Sequence, residues 1–198
     1  MAIEDYTFAI SINPNASDAS YNRGLAYYNK GQYDKAIEDY TSAIVINPNY
    51  AKAYYNRGLA YGRKGQYNIE IEDYNKAIAI NPNYADAYYN RGAAYFDKGQ
   101  HDMAIDNYTK AIAINPNYAD AYYNRGLAYY NKALYDRAIE DYTSAIVLDP
   151  NAADAIYNRG LSYQQKGNMG RAIPDYRKAC DLGFKIACEG LQKALKKK

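Results

Sequence analysis

Five asparagines recur at intervals of 34 residues and are the side chains best suited to chemistry in this sequence: Asn22, Asn56, Asn90, Asn124 and Asn158. An amide side chain offers two N–H donors and a C=O acceptor, so it can pair with the N–H and C=O groups of a peptide backbone. A row of such amides would hold a bound segment without reading its side chains. The alternative is that asparagine is simply common at this place and contacts no ligand.

A tyrosine precedes each of these asparagines, at Tyr21, Tyr55, Tyr89, Tyr123 and Tyr157. Tyrosine gives a binding surface broad amphipathic contact area at low cost in conformational entropy. The alternative is that the rings only pack against neighbouring helices. Both residue types suit contact with an extended polypeptide.

An arginine follows each asparagine, and in isolation these residues resemble a basic stripe for phosphate or nucleic acid. An acid recurs 16 residues later, however, at Asp39, Asp73, Asp141 and Asp175, and only Asn107 interrupts this series. We predict an internal Arg–Asp ladder that neutralises the stripe. The net charge of +2, from 24 basic and 22 acidic residues, also argues against a nucleic-acid partner.

Catalytic and metal-binding patterns are not found in the sequence. His101 is the single histidine, and it occupies a place that holds tyrosine at Tyr33, Tyr67 and Tyr135, which favours a packing role. No glycine-rich phosphate loop, zinc-spaced cluster or serine nucleophile motif is present. We therefore expect a protein that is not an enzyme and that uses no metal or cofactor.

The elements that carry these residues follow from the same period of 34. Glycine stands two places after each asparagine, an aromatic residue recurs in the second half of the period, and alanines flank that aromatic. Small and large residues at helical spacing are typical of two closely packed helices. Each period is predicted to be a helical hairpin, and periods of this length mark stacked repeats.

Glycine and asparagine punctuate the hairpins. Gly31, Gly65, Gly99 and Gly167 fit a left-handed residue just after the first helix, and Ala133 takes this place in the fourth repeat at an expected cost of about 0.5–1 kcal/mol. In the Asn-Pro-Asn segments, the second asparagine is predicted to cap the next first helix. These asparagines are Asn49, Asn83 and Asn117, with Asn151 after Asp-Pro. Ile71 is interpreted as the residue that replaces a small alanine in the second repeat.

The glycine, tyrosine, alanine, aromatic, alanine and proline places together resemble the signature of the tetratricopeptide repeat family over almost the whole chain. The resemblance implies an all-α fold, a right-handed superhelical solenoid of antiparallel helix hairpins. Five repeats are predicted, at 17–50, 51–84, 85–118, 119–152 and 153–186. Residues 1–16 would be a lone second helix, and residues 187–198 would complete a C-terminal capping helix from Lys185 to Lys197 with a basic tail.

In this family the first helices line a concave groove that holds an extended peptide or a partner helix. The resemblance implies that the groove is lined by Tyr21, Asn22, Leu25, Tyr28, Lys52, Tyr55, Asn56, Leu59, Arg63, Tyr89, Asn90, Phe96, Tyr123, Asn124, Leu127, Tyr130, Tyr157 and Asn158. Lys52 replaces an acid at the start of its helix, where a positive charge opposes the helix dipole. A carboxylate in the ligand would explain it, and drift among repeats is the alternative.

The expected partner is a protein or peptide. Members of the family that grip chaperone C-terminal tails need a lysine at the fifth place and an asparagine at the ninth place of one repeat, whereas here Tyr21 and Leu25, or their equivalents, hold those places. Binding to such tails is therefore not expected. No run approaches the ~18 consecutive apolar residues of a membrane span.

Cys180 and Cys188 lie at the bend before the closing helix. Their spacing is similar to that of disulfide-linked hairpins in secreted cysteine-rich helical repeat proteins, which implies a staple in an oxidising compartment; in the cytosol they would be small core thiols. No signal peptide opens the chain, but Met1 falls in mid-repeat. Both a cytoplasmic location and, after removal of an upstream signal, the bacterial periplasm or secretion stay open.

The leading functional prediction is a scaffold or adaptor that binds a partner segment in the groove. The alternative is a structural module that self-associates through its ends, at a bacterial envelope for example. The N-terminal helix carries Ile3, Tyr6 and Ile10 without a first-helix partner, and it offers an edge for homo-association.

Overall fold

A computed structural model describes residues 2–196 of the 198-residue chain. Within these residues the chain forms twelve α-helices and no strand. The helices are α1 (Ala2–Ile12), α2 (Ser17–Asn29), α3 (Tyr33–Ile46), α4 (Ala51–Arg63), α5 (Tyr67–Ile80), α6 (Ala85–Asp97), α7 (His101–Ile114), α8 (Ala119–Asn131), α9 (Tyr135–Leu148), α10 (Ala153–Gln165), α11 (Met169–Asp181) and α12 (Lys185–Lys196). The all-α prediction is confirmed. Of the predicted basic end, Lys197, Lys198 and the side chain of Lys196 lie outside the described part.

The chain divides into two compact units, residues 1–94 and residues 95–198. In the first unit α2 packs on α3 and α4 packs on α5, while α1 covers one side of α2. In the second unit α8 packs on α9, α10 packs on α11, and α12 packs on α11. Turns of only a few residues join consecutive helices, as expected for antiparallel helical hairpins.

In four hairpins a glycine on the first helix faces a buried tyrosine on the second, in the pairs Gly24 with Tyr40, Gly58 with Tyr74, Gly126 with Tyr142 and Gly160 with Tyr176. A Cβ atom on Gly24 would lie 2.9 Å from the Tyr40 ring, and one on Gly126 would lie 2.7 Å from the Tyr142 ring. Tyr40 and Tyr142 are fully buried. Only glycine lets the helix backbone approach the ring this closely, which explains the small-large pattern in the sequence.

The turns inside the hairpins have the predicted left-handed residue. Gly31, Gly65, Gly99 and Gly167 have φ between 70° and 74°, and Ala133 has φ 57° in the same place. That prediction is confirmed. Gly183, with φ 89°, is a further left-handed residue that the repeat pattern did not reveal, because it lies beyond the last full hairpin.

The prediction of asparagine N-caps is wrong. The residue in the N-cap position of α4 is Tyr50, and it makes no side-chain capping bond. It is the first asparagine that closes the turn: the Oδ1 of Asn47 accepts from the backbone N–H of Asn49 at 3.1 Å. The same bond joins Asn81 to Asn83, Asn115 to Asn117 and Asp149 to Asn151. The second asparagine lies one residue before the N-cap position, which puts it outside the helix start.

The interpretation of Ile71 is also wrong, because the residue that replaces the small alanine is Glu70. Its carboxylate fills the space beside Gly62, where a Cβ atom would lie 2.6 Å from Glu70 Oε1. The other hairpins hold an aromatic residue or Gln164 in the place of Gly62 and alanine in the place of Glu70. The second repeat has therefore exchanged a small and a large residue across the hairpin.

Candidate functional site

The predicted row of amides is partly engaged in stacking the repeats. In the first unit, Asn56 Nδ2 donates to the Tyr21 hydroxyl at 2.9 Å and to the backbone carbonyl of Lys52 at 2.9 Å. Asn90 Nδ2 donates to the Tyr55 hydroxyl at 2.8 Å and to the carbonyl of Asp86 at 3.0 Å. A backbone carbonyl can only accept, so the amide group must point its nitrogen into the protein.

The same bond recurs in the second unit, where Asn158 Nδ2 donates to the Tyr123 hydroxyl at 3.0 Å. Asn22 and Asn124 hold the equivalent places on α2 and α8. The amides of Asn56, Asn90 and Asn158 are half-buried. Their donors serve the packing of consecutive first helices, and Oδ1 is the atom of each amide that remains for a ligand.

The predicted tyrosine row packs within the repeats while it stays half-buried. Between ring centroids, Tyr21 lies 5.8 Å from Tyr40 and 5.0 Å from Tyr50. The rings of Tyr55 and Tyr74 are likewise 5.8 Å apart. Burial raises the pKa of Tyr123 to about 12. The Tyr123 hydroxyl therefore keeps its proton at neutral pH, and it can donate a bond as well as accept one from Asn158.

The remaining predicted residues divide into an apolar group and a charged group. Leu25, Leu59 and Leu127 are half-buried on α2, α4 and α8. Tyr28 and Tyr130 pack edge-on against Tyr33 and Tyr135 at 5.4 Å. Phe96 packs on His101 with tilted rings and centroids 5.1 Å apart, consistent with the expected packing role of that histidine.

Lys52 and Arg63 give the second repeat its positive charge. Lys52 is exposed at the start of α4, and Arg63 Nε donates to the Tyr28 hydroxyl at 3.2 Å. In the first repeat the place of Lys52 holds Asp18, which accepts from the Tyr50 hydroxyl at 2.6 Å. A lysine cannot accept that bond, so the substitution removes an internal contact as well as adding a charge.

The predicted Arg–Asp ladder is confirmed in four repeats. Arg57 Nη2 and Nε donate to the two carboxylate oxygens of Asp73, both at 2.8 Å, and Arg125 binds Asp141 in the same way at 2.7 and 2.8 Å. The other pairs are Arg23 with Asp39 and Arg159 with Asp175. In the third repeat Asn107 holds the place of the aspartate, and its amide donates to the carbonyl of Met103 at 2.7 Å.

Each ladder arginine also reaches the helix that precedes its own hairpin. Arg57 Nη1 donates to Thr41 Oγ1 at 3.0 Å, and Arg125 Nη1 donates to Thr109 Oγ1 at 3.0 Å. Arg23 and Arg159 bind Thr7 and Thr143 at 3.2 Å. The guanidinium groups are thus occupied by protein side chains, and the four arginines do not form a bare basic stripe.

Cys180 and Cys188 form a disulfide with Cα atoms 4.7 Å apart. The bond joins the last turn of α11 to the first turns of α12. Near it, Ala187 packs against Ile156 and Ala179 in a small buried cluster. The C-terminal helix is therefore held to the last hairpin both covalently and by packing.

Residues 2–196 lack both a membrane-spanning helix and a cluster of metal ligands. No helix in this range is long and apolar enough to cross a membrane. The same residues contain no group of three or more histidine, cysteine, aspartate or glutamate side chains that could hold a metal ion.

Sequence comparison matches most of the chain to models of one repeat family. A model described as TPR repeat matches residues 26–65, 63–99 and 92–132. Three models described as tetratricopeptide repeat match residues 119–152, 6–38 and 153–182. No curated protein matches the chain by sequence.

Among solved structures, the chain is similar to YrrB, described as a TPR protein with an unusual peptide-binding site. The two share 25% identity over 96% of this chain and 99% of that one, with a TM-score of 0.82. A MamA structure shares 35% identity over 83% of this chain and 96% of that one, with a TM-score of 0.78. MamA from Desulfovibrio magneticus RS-1, at 23% identity and a TM-score of 0.79, covers 84% of this chain and 94% of its own length and shows likeness of fold alone.

Proposed function

The chain belongs to the tetratricopeptide repeat family, and on that premise we propose that it is a non-enzymatic scaffold whose first helices bind an extended segment of a partner protein. The binding face consists of the amide row, the tyrosine row and the leucines between them. Its ligand is extended and mostly neutral, and it presents its backbone to the amides.

The observation that carries the proposal is the orientation of the amides. The donors of Asn56 and Asn90 are held by a tyrosine hydroxyl and a backbone carbonyl, which fixes each side chain in one position. The Oδ1 atoms are thus preorganised as acceptors at the spacing of the repeats, and they suit the N–H groups of a peptide. Preorganisation lowers the entropic cost of binding.

The half-buried leucines and tyrosines support the same ligand, because they offer apolar contact area beside the acceptors. The similar YrrB structure is described as having a peptide-binding site. Lys52 would favour a carboxylate near the second repeat, since its exposed ammonium group has no equivalent in the other repeats.

The test separates the ligand-facing atom of an amide from its structural bonds. A random library of displayed 12-residue peptides is selected on the wild-type chain, and the affinities of the selected peptides are measured by fluorescence anisotropy. Asn90→Ala removes both the acceptor and the internal donors. Tyr55→Phe removes only one of the two internal partners of Asn90 and leaves the carbonyl of Asp86 to hold the amide. We expect at least a tenfold loss of affinity in Asn90→Ala and less than a threefold loss in Tyr55→Phe.

Asn158→Ala and Tyr123→Phe form the same pair in the second unit and serve as an independent repeat of the experiment. Equal losses in both members of a pair would mean that the amide acts only through packing. Selection of peptides that no amide variant affects would place the binding site elsewhere and reject the proposal.

A second candidate function, self-association through the N-terminal edge, is favoured by the exposure of α1. Phe8 and Ile12 are 67% and 68% exposed, and none of the side chains of α1 is buried. We expect sedimentation velocity to reveal a concentration-dependent dimer that Phe8→Ser abolishes. A monomer at every concentration up to about 1 mM would reject this candidate, because a dissociation constant of about 1 mM corresponds to a binding free energy of only about −4 kcal/mol.

A further inference from the structure

A cavity of about 310 Å³ lies between α10, α11 and α12 in the second unit. Leu161, Met169, Tyr176 and Ala194 form its apolar wall. Gln164, Glu189 and Lys193 contribute polar atoms to the lining. Its residues on α10 include Tyr157 and Leu161, which hold the same repeat places as the tyrosines and leucines of the proposed binding face.

The cavity exists because the amide row ends there. Ala187 on α12 packs against Ile156 on α10 and Ala179 on α11. Ala53 holds the same kind of position on α4, where it packs against Ala43 and Ile44 on α3. Three residues after Ala53 comes Asn56, and three residues after Ala187 comes Gly190. Gly190 therefore occupies the asparagine place of α12.

Glycine leaves open the volume that an asparagine fills elsewhere. A Cβ atom on Gly190 would lie 3.4 Å from the Tyr157 ring, so even one carbon would reach contact distance. Asn158 donates to the Tyr123 hydroxyl, but Gly190 has no amide to donate to Tyr157. The Tyr157 ring consequently forms one side of an open space rather than one side of a filled stack.

We infer that this cavity is an anchor subsite for one large apolar side chain, of the leucine, methionine or phenylalanine class, on the segment bound by the neighbouring amides. The inference rests on the proposed function. Ligand pockets usually measure about 300–1,000 Å³, and this cavity is at the small end, which suits a single side chain. A thioether and two aromatic rings adapt well to different apolar shapes.

The disulfide holds one wall of this subsite. Cys188 directly precedes Glu189 and Gly190, and its bond to Cys180 fixes the start of α12 against α11. Reduction would leave α12 held to α11 only by packing and by the short turn between the two helices. The cavity is therefore preorganised in the oxidised protein, and reduction is expected to weaken binding of the anchor side chain.

Methionine provides a direct probe of the cavity. The chain has three methionines, Met1, Met103 and Met169, and only Met169 lines this space. The full chain is labelled with ¹³C at the methionine methyl groups and titrated with N-acetyl-leucinamide, N-acetyl-methioninamide and N-acetyl-phenylalaninamide, with N-acetyl-alaninamide for comparison. We expect saturable shifts of the Met169 signal with dissociation constants on the order of 1 mM, and no shift for Met103.

Two variants of Gly190 provide the matched control. Gly190→Leu fills the cavity and should abolish the shift of Met169, whereas Gly190→Ala should retain most of it. Circular dichroism checks that both variants keep their helices. Equal responses to all four amides, or an unchanged response in Gly190→Leu, would overturn the assignment of an apolar subsite.

A peptide experiment distinguishes failure of the subsite from failure of the proposed function. On the wild-type chain, peptides selected from the 12-residue library should lose at least tenfold in affinity when their apolar anchor is changed to alanine. On Gly190→Leu, the same change in the peptide should lower the affinity by less than twofold. Peptides that depend on Asn158 but not on Gly190 would overturn the anchor alone. Selection of no amide-dependent peptide would overturn the proposed function and the anchor together, even if Met169 still responds to the amides.

Discussion

The hairpin α4–α5 and the hairpin α8–α9 solve the same packing problem with different side chains. Both place a glycine against a buried tyrosine and both carry a bidentate Arg–Asp pair. The first fills its core with Glu70 beside Gly62, whereas the second uses Ala138 beside Tyr130. The backbone therefore tolerates a reciprocal exchange of volume, but the exchange changes which polar atoms have partners.

The polar consequence lies at the buried tyrosines. Tyr74 donates to Glu70 Oε1 at 2.9 Å. The hydroxyl of Tyr142 is buried and has no hydrogen-bond partner among residues 2–196. The unusual hairpin thus satisfies a group that the regular hairpin leaves unsatisfied, and the regular hairpin avoids a buried carboxylate.

The largest expected effect comes from introducing only one of the two exchanged residues, the glutamate, into the hairpin α8–α9. Ala138→Glu in α9 should lower the free energy of unfolding by about 4 kcal/mol, because a buried carboxylate is added where Tyr130 already fills the space. Adding Tyr130→Gly should recover at least half of that loss, since the Tyr142 hydroxyl can then donate to the new carboxylate. Urea unfolding followed by circular dichroism measures both. No recovery in the double variant would contradict the volume exchange.

Removal of a ladder carboxylate tests what the two hairpins share. Asp141→Asn and Asp73→Asn should each cost about 2 kcal/mol, because a bidentate, charge-assisted contact of a mostly buried arginine is replaced by a neutral one. The Tm of each variant gives the measurement. If Asp141→Asn left the Tm unchanged while Arg125→Leu raised it, the ladder would not be stabilising.

The buried hydroxyls should respond in opposite directions. Tyr74→Phe removes the bond to Glu70 and should cost about 1 kcal/mol, whereas Tyr142→Phe removes an unsatisfied hydroxyl and should be neutral or stabilising by up to about 1 kcal/mol. Urea midpoints of the two variants, measured under one set of conditions, decide the sign. A loss in Tyr142→Phe equal to that in Tyr74→Phe would indicate that both hydroxyls are satisfied.

The turn residues give the smallest contrast. Ala133→Gly should raise the free energy of unfolding by about 0.5–1 kcal/mol, and Gly65→Ala should lower it by a similar amount, because φ is 57° at Ala133 and 70° at Gly65. Thermal unfolding resolves differences of this size. If Ala133→Gly did not raise the free energy of unfolding, the greater conformational entropy that glycine loses on folding would offset the relief of backbone strain.

The repeat period predicts much of this molecule because its determinants are local. Helix ends, left-handed turn residues and the ladder acids all follow from spacings within one hairpin, and these predictions are confirmed at Gly65, Ala133 and Asp73. The prediction of asparagine caps is wrong because each of these asparagines lies one residue before the N-cap position, outside the helix start. Glu70 was not predicted, because aligning the second repeat one residue later places Ile71 opposite the alanines of the other repeats.

Contacts between repeats were harder to predict. The bond from Asn56 to Tyr21 spans 35 residues, and whether an amide turns its nitrogen inward depends on how closely two first helices approach. The cavity beside Gly190 depends on the helix α12, whose alignment to the repeat is shifted because α11 and the turn after it are each one residue shorter than in the other repeats. The binding role of the tyrosine and amide rows stays a prediction.

Each ladder arginine binds both its own hairpin and the helix before it, and this has a consequence for how each unit loses its structure. Arg57 binds Asp73 in its own hairpin and Thr41 in the hairpin before it, so one guanidinium group couples two neighbours. A hairpin that melted between intact neighbours would break contacts on both sides, whereas a terminal hairpin breaks them on one. Nearest-neighbour coupling of this kind makes fraying from an end the least costly opening, and amide hydrogen exchange should slow from the edge of each unit toward its interior.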